Sequence, residues 1–179
     1  IMAAMSAWAW GQVPDDAQIP IHWGLDGTPD GYGPKWVGLL LTPALGAVLG
    51  LVFVVIPRFD PRREHLAASA RAWIAIGVST MLLLAVVHVA IVAAVLGAGV
   101  DMGRVIGVAV GAMLLIIGNY LGKTRSNWFM GVRTPWTLSS ERSWTLTHRL
   151  AGRLFMWVGL VSVLVGLVAS AQVVFFTLL

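Results

Sequence analysis

No cysteine occurs among the 179 residues, which excludes disulfides, thiolate-bound zinc, iron–sulfur clusters and covalently attached haem. Charge is sparse as well: Asp, Glu, Lys and Arg together make up 11% of the chain, against about a quarter in an average soluble domain. No Asp or Glu falls inside a long apolar run, which argues against the intramembrane carboxylates that proton relays and cation-coupled carriers use. What fills the chain instead is apolar. Hydrophobic residues reach 58% and mean hydropathy is +0.84, more apolar surface than one domain of this size can hide from water. Lipid is therefore the solvent for much of the chain.

Residues 37–57 read VGLLLTPALGAVLGLVFVVIP without a charge. At 1.5 Å per residue that run reaches about 31 Å, a full hydrocarbon core. Further spans are predicted at 72–96, with His88 as its one ionisable group, at 105–121 and at 154–179. The last is longer than one crossing needs, so it is either a single tilted helix or the place where a sixth helix begins near Gln172. Residues 1–13 fall short of the roughly 20 that a crossing requires. They read as the end of a first transmembrane helix that starts before Ile1; a signal-peptide remnant is the rival, although no basic n-region or AxA site is visible. The expected fold class is all-α, a polytopic transmembrane helical bundle of about five spans with the first, and in one reading the last, truncated.

The segments between spans differ in charge. Arg58, Arg62, Arg63 and Arg71 lie in 58–71, and Lys123, Arg125, Arg133, Arg142, Arg149 and Arg153 in 122–153, ten of the twelve basic residues. Basic residues in short loops stay on the cytoplasmic side, so these two segments are expected on the cytoplasmic side of the membrane. Loops 14–36 and 97–104, with only Lys35 and Arg104, are expected outside. The net charge of +4 is thus a topology signal and gives no reason to expect nucleic acid. Trp36, Trp73 and Trp128 fall where spans meet loops, as an interfacial aromatic belt requires.

Few residues are placed for chemistry. His88 lacks an intramembrane acidic partner and a second His at i+4, so a neutral, hydrogen-bonded packing role is expected. In the Pro- and Gly-rich, acidic loop 14–36, His22, Asp26, Asp30 and Tyr32 are the candidate contact residues. Their spacing is not that of an EF-hand loop. Tight turns, with Asp capping backbone N–H groups and Gly at positive φ, explain them without a metal. Glu141 lies seven residues from His148, about 10 Å along a helix, and no nucleophile, base and oxyanion-hole set can be assembled. Neither an enzyme nor a bound cofactor is expected.

The segment 122–153 is rich in Arg, Asn, Thr and Trp and should be folded. Ser139 can cap a helix that begins at Ser140 and runs into the last span. With Arg142 at 0° on a helical wheel, Arg149 and Arg153 fall within about 20° of it, a stripe suited to anionic headgroups. Trp144, His148 and Phe155 fall on the opposite face, which is expected to pack inward. Gly103, Gly107 and Gly111 form a tandem GxxxG ridge, for which Gly46 and Gly50 offer a partner face and dimerisation is the alternative. Substitution at Gly38, near the membrane edge, is expected to cost less than at Gly107.

The run GNYLGKTRSNWFMGVRTPWTLSSERSWTLTHRLAGRLF resembles the signature of the SdpI family of bacterial membrane proteins. The loop IPIHWGLDGTPDGYGPK looks like the small domain of unknown function that commonly precedes it. Leu146 stands where a basic residue is common in the family, and Ser126 where Pro is common. The resemblance implies a polytopic helical protein and, as the founding activity, immunity against a secreted peptide toxin coupled to sequestration of a repressor at the membrane. On this reading Asn119, Lys123, Arg125, Asn127, Arg133, Trp136, Arg142, Trp144, His148, Arg149 and Arg153 are candidates for contact with a cytoplasmic regulator or anionic lipid. The outer loop is the candidate for a peptide toxin. Arg133, Arg149 and His148 are expected to matter more than Arg58, Arg62 and Arg63, which topology alone explains. The alternative is a structural accessory subunit of a larger membrane complex, or a homo-oligomer.

Overall fold

The computed structural model describes residues 1–24, 26–168, 173 and 177. Helix α1 covers Met2–Trp10, followed by strands β1 (Gln18–Trp23) and β2 (Pro29–Pro34). Then come α2 (Lys35–Val55), a 3₁₀ turn (Ile56–Arg58), α3 (Arg63–Ala68), α4 (Ala70–Val95), α5 (Met102–Leu121), α6 (Pro135–Ser139) and α7 (Glu141–Val168). Helix α2 with the 3₁₀ turn, α4, α5 and α7 are each long and apolar enough to cross a membrane, whereas α1 has nine residues. The bundle is all-helical except at one end, where the expected loop forms an antiparallel ribbon. Its pairing is Gln18↔Pro34, Ile19↔Gly33, Pro20↔Tyr32, His22↔Gly31 and Trp23↔Pro29. The alternative start of a sixth helix near Gln172 lies outside the described residues.

Two prolines explain how the first helices are tied together. Proline lacks the N–H that would bond the carbonyl four residues earlier, and in lipid that carbonyl needs another donor. Pro43 frees Leu39 O, which accepts from Ser6 Oγ of α1 at 2.6 Å. Pro57 frees Phe53 O, which accepts from Trp73 Nε1 of α4 at 3.0 Å. Ser6 Oγ also meets His88 Nε2 at 3.0 Å. His88, on α4, is thus buried with Nε2 on Ser6 of α1, but its Nδ1 is buried without a hydrogen-bond partner among the described residues, so the hydrogen-bonded packing role expected of it is met at one ring nitrogen only.

The ribbon is seated on the start of α2. Ile19 is fully buried, and a Cβ at Gly38 would overlap its side chain. Gly38 is therefore a close contact, contrary to the expectation that substitution there is mild. Lys35 is buried with Nζ 2.8 Å from Asp15 Oδ1 and 4.9 Å from the centre of the Trp10 ring. Asp101 caps α5 by accepting from Arg104 N at 2.9 Å.

Helices α5 and α7 run antiparallel with their backbones in contact. A Cβ at Gly118 would lie 2.6 Å from Gly152 O, and one at Gly159 would lie 2.5 Å from Gly111 O. Gly111 and Gly118, like Gly152, Gly159 and Gly166, are spaced by seven, which keeps them on one seam between helices that coil gently about each other. Of the expected glycine ridge, Gly111 packs against α7. The expected pairing with Gly46 and Gly50 is not made: Gly46 faces Met2, and Gly50 has open space. Phe155 is exposed, not inward, because touching backbones leave no room between the helices for a ring.

Candidate functional site

The described chain holds its polar contacts mainly at the end opposite the ribbon, where α5 gives way to the segment 122–140. Asn127, fully buried, organises this turn: its Oδ1 accepts from Phe129 N (3.0 Å) and Met130 N (2.7 Å), and its Nδ2 donates to Arg125 O (2.9 Å). Asn serves here because one short side chain offers both an acceptor and donors to its own backbone. Gly131 follows at φ +102°, a conformation L side chains rarely adopt, and a Cβ there would overlap the His148 ring.

His148 and Trp144 support the turn from beneath. The rings stack at 3.9 Å with 17° between planes, both fully buried. Val132 N donates to His148 Nε2 (2.9 Å), so the proton sits on Nδ1, which donates to Trp144 O (2.8 Å). Both ring nitrogens are occupied in the neutral imidazole. Trp144 Nε1 donates to Thr124 O (3.0 Å). Thr134 and Thr137 then form a reciprocal capping box that starts α6, and Thr137 Oγ1 donates to Val132 O (2.8 Å). Helix α7 begins at Glu141 with Ser140 Oγ accepting from Ser143 N (3.3 Å), one residue later than expected from Ser139 as cap.

The short basic segment 58–71 is built into this site, which sequence reasoning missed. Asp60, almost fully buried, accepts from Arg62 N (2.7 Å) and Trp128 N (3.2 Å). Arg62 donates through Nη1 to Ser126 Oγ (2.7 Å) and through Nη2 to Leu138 O (2.8 Å). Ser126 Oγ in turn donates to Glu141, and His65 Nδ1 lies 3.0 Å from Ser126 O. Ser69 Oγ accepts from Arg125 N (2.9 Å). Arg62 is thus a structural cross-link, not merely a topology signal. Ser126 supplies the hydroxyl on which Arg62 and Glu141 converge.

Of the predicted residues, Asn127, Trp144 and His148 come together inside, while Asn119, Lys123, Arg125, Arg133, Trp136, Arg142, Arg149 and Arg153 are exposed around them. Arg133 Nη1 donates to Trp128 O (2.6 Å), and the two residues border a groove of about 480 Å³ with Arg62, Pro135 and Leu138. At the ribbon end, His22 pairs with Asp30, and Asp26 accepts from Thr28 N (3.0 Å). Those bonds hold the Asp26 carboxyl below its usual range, the Thr28 hydroxyl first and its N–H second. The Lys35 ammonium lowers Asp15 likewise, by hydrogen bond and then by charge. Tyr32 is exposed on β2.

Four membrane-length helices, a ribbon at one end and a hydrogen-bonded basic platform at the other define a multi-pass helical membrane protein. Residues 123–179, which supply most of that platform and all of α7, match the SdpI/YfhL protein family. Residues 1–47, spanning α1, the ribbon and the first half of α2, match a domain of unknown function, DUF1648. The two matches stand in the order that the sequence suggests, the domain of unknown function first and the SdpI/YfhL region after it. No curated protein and no solved structure matches it.

Proposed function

We propose that the chain works by binding: the platform faces the cytoplasm and receives a regulator protein, and the ribbon faces outward, toward a secreted peptide toxin. The observation that carries this reading is the division of labour within the platform. Its buried polar groups, Asn127, His148, Trp144 and Asp60, are engaged with backbone. Arg133 and Trp136 stay exposed on a surface those bonds hold rigid. A preorganised surface with aromatic and arginine side chains suits recognition, since little ordering cost is left for the binding step. The ten-to-two distribution of basic residues supports the orientation.

The test is toxin protection of a host strain together with capture of the regulator, at matched protein levels. Arg133→Gln and Trp136→Ala should each lower capture about tenfold, the usual scale for a contact worth above 1 kcal/mol. Unchanged capture and protection would remove the platform from recognition. A membrane partner that co-purifies stoichiometrically after mild detergent extraction would instead favour the accessory-subunit reading.

A further inference from the structure

Two hollows adjoin each other between α4 and α5, the upper one bordered by Ser69 of the platform. The upper one, about 590 Å³, is lined by Ser69, Arg71, Asn119, Tyr120 and Lys123, with the small side chains of Ala67–Ala72. Among the described residues no carboxylate lines it. The Arg71 guanidinium has no hydrogen-bond or ion-pair partner among the described residues. Lys123 Nζ is held only by Asn119 Oδ1 at 3.3 Å and by the Tyr120 ring at 5.3 Å. Two cations thus share one polar hollow whose described lining holds no anion to balance them.

The lower cavity, about 430 Å³, shares Asn119 and Tyr120 with the upper one and is otherwise lined mainly by Ala75, Val78, Leu115 and Ile116. Val78 is seven residues from Arg71, about 10 Å along α4 toward the bundle centre. The cationic hollow and the more apolar groove thus adjoin at Asn119 and Tyr120, between α4 and α5.

We infer that this pair of cavities is a binding site for an anionic phospholipid. Arg71 and Lys123 hold the headgroup phosphate, Asn119 donates beside them, and an acyl chain lies along Val78, Leu115 and Ile116. The assignment follows from the coincidence of opposite requirements in two adjoining hollows: paired positive charge where a headgroup sits, and apolar lining where a chain runs. A soluble phosphate would use the first part alone. The inference does not depend on what the platform binds.

The test uses the full chain in neutral detergent, titrated with phosphatidylglycerol, phosphatidylcholine, glycerophosphoglycerol or inorganic phosphate and read by native mass spectrometry and thermal melting. Phosphatidylglycerol should bind and raise the melting temperature more than phosphatidylcholine, and glycerophosphoglycerol and inorganic phosphate should compete only weakly. The double substitution Arg71→Gln with Lys123→Gln should lose on the order of tenfold to thirtyfold in phosphatidylglycerol affinity. Arg71→Lys with Lys123→Arg should retain most of it, and Arg63→Gln should change nothing. Ala75→Trp, which fills the groove, should weaken lipid binding. Undiminished lipid binding in the double Gln variant, or no preference of the unaltered chain for phosphatidylglycerol, overturns the site. Competition by inorganic phosphate as strong as by lipid overturns the groove's part in it.

Discussion

At the scale of single residues, two neighbouring arginines separate charge from structure. Arg62 reaches Ser126 and Leu138, whereas Arg63, one position on, is exposed at the start of α3. Arg62→Gln removes two hydrogen bonds from a charged donor, each worth about 1.5–3 kcal/mol at most when shielded. It should lower the detergent melting temperature, and Arg63→Gln should leave it within error. Equal shifts would mean that only the loop's charge matters. The sequence concealed this difference because an Arg-rich loop between spans looks the same whether its side chains anchor to lipid or bond to protein. The one local hint was Asp60, an acid in a basic loop. Asn127, Trp144 and His148 were legible because a dense polar run next to a membrane span has to satisfy its own backbone.

Acid acts on the ribbon end residue by residue. Asp15 and Asp26 both have pKa values lowered from 3.8 in the folded chain. A lowered folded value means that the stabilisation is complete above 3.8 and is lost as pH falls below 3.8 through the folded values. The Thr28 amide resonance should therefore move with a midpoint below 3.8, and Asp26→Asn should abolish that transition. A midpoint at or above the ordinary carboxylate value would show that the turn's hydrogen bonds do not form in solution.

At the scale of elements, proline placement and helix contact are coupled. The bond from Ser6 to Leu39 O exists because Pro43 leaves that carbonyl free. Ser6→Ala should cost about 1 kcal/mol in the native chain. In a Pro43→Ala background, where the backbone N–H restored at that position can take Leu39 O, it should cost less, and a double-mutant cycle measures the difference. Strict additivity would mean that the two are independent. The seam between α5 and α7 gives a second comparison: Gly118→Leu forces touching backbones apart and should lower the melting temperature by several degrees or abolish folding. Gly50→Leu meets open space and should be tolerated. If Gly118→Leu melts like the unaltered chain, the seam is wrong. Of the small-residue ridge read from the sequence Gly111 lies in the seam, whereas Gly118 and the partner helix were not legible, because glycines on every span offer the same short-range pattern. Only the antiparallel register of α5 with α7 selects among them.

At the scale of the whole molecule, hydropathy made the spans legible and charge suggested their orientation, whereas the ribbon was hidden by prolines and glycines that read equally as turns. Absence of cysteine makes the orientation directly measurable, since any introduced thiol is unique. In intact cells a membrane-impermeant maleimide should label Asp16→Cys and spare Arg142→Cys until the membrane is opened. The reverse pattern would invert the proposed topology and, with it, which compartment supplies each partner.

The cross-links from Asp60, Arg62 and His65 to residues 126–141 also set an order of biogenesis. During synthesis the first of these groups emerges well before its partners, with the whole α4–α5 hairpin between them still to be inserted. Asp60 and Arg62 are then hydrated, and meet their partners only when Ser126, Trp128 and Leu138 arrive. A chain whose α4–α5 hairpin fails to insert cannot close the platform and displays those unpaired polar groups. Closure of the platform therefore depends on correct insertion of the α4–α5 hairpin.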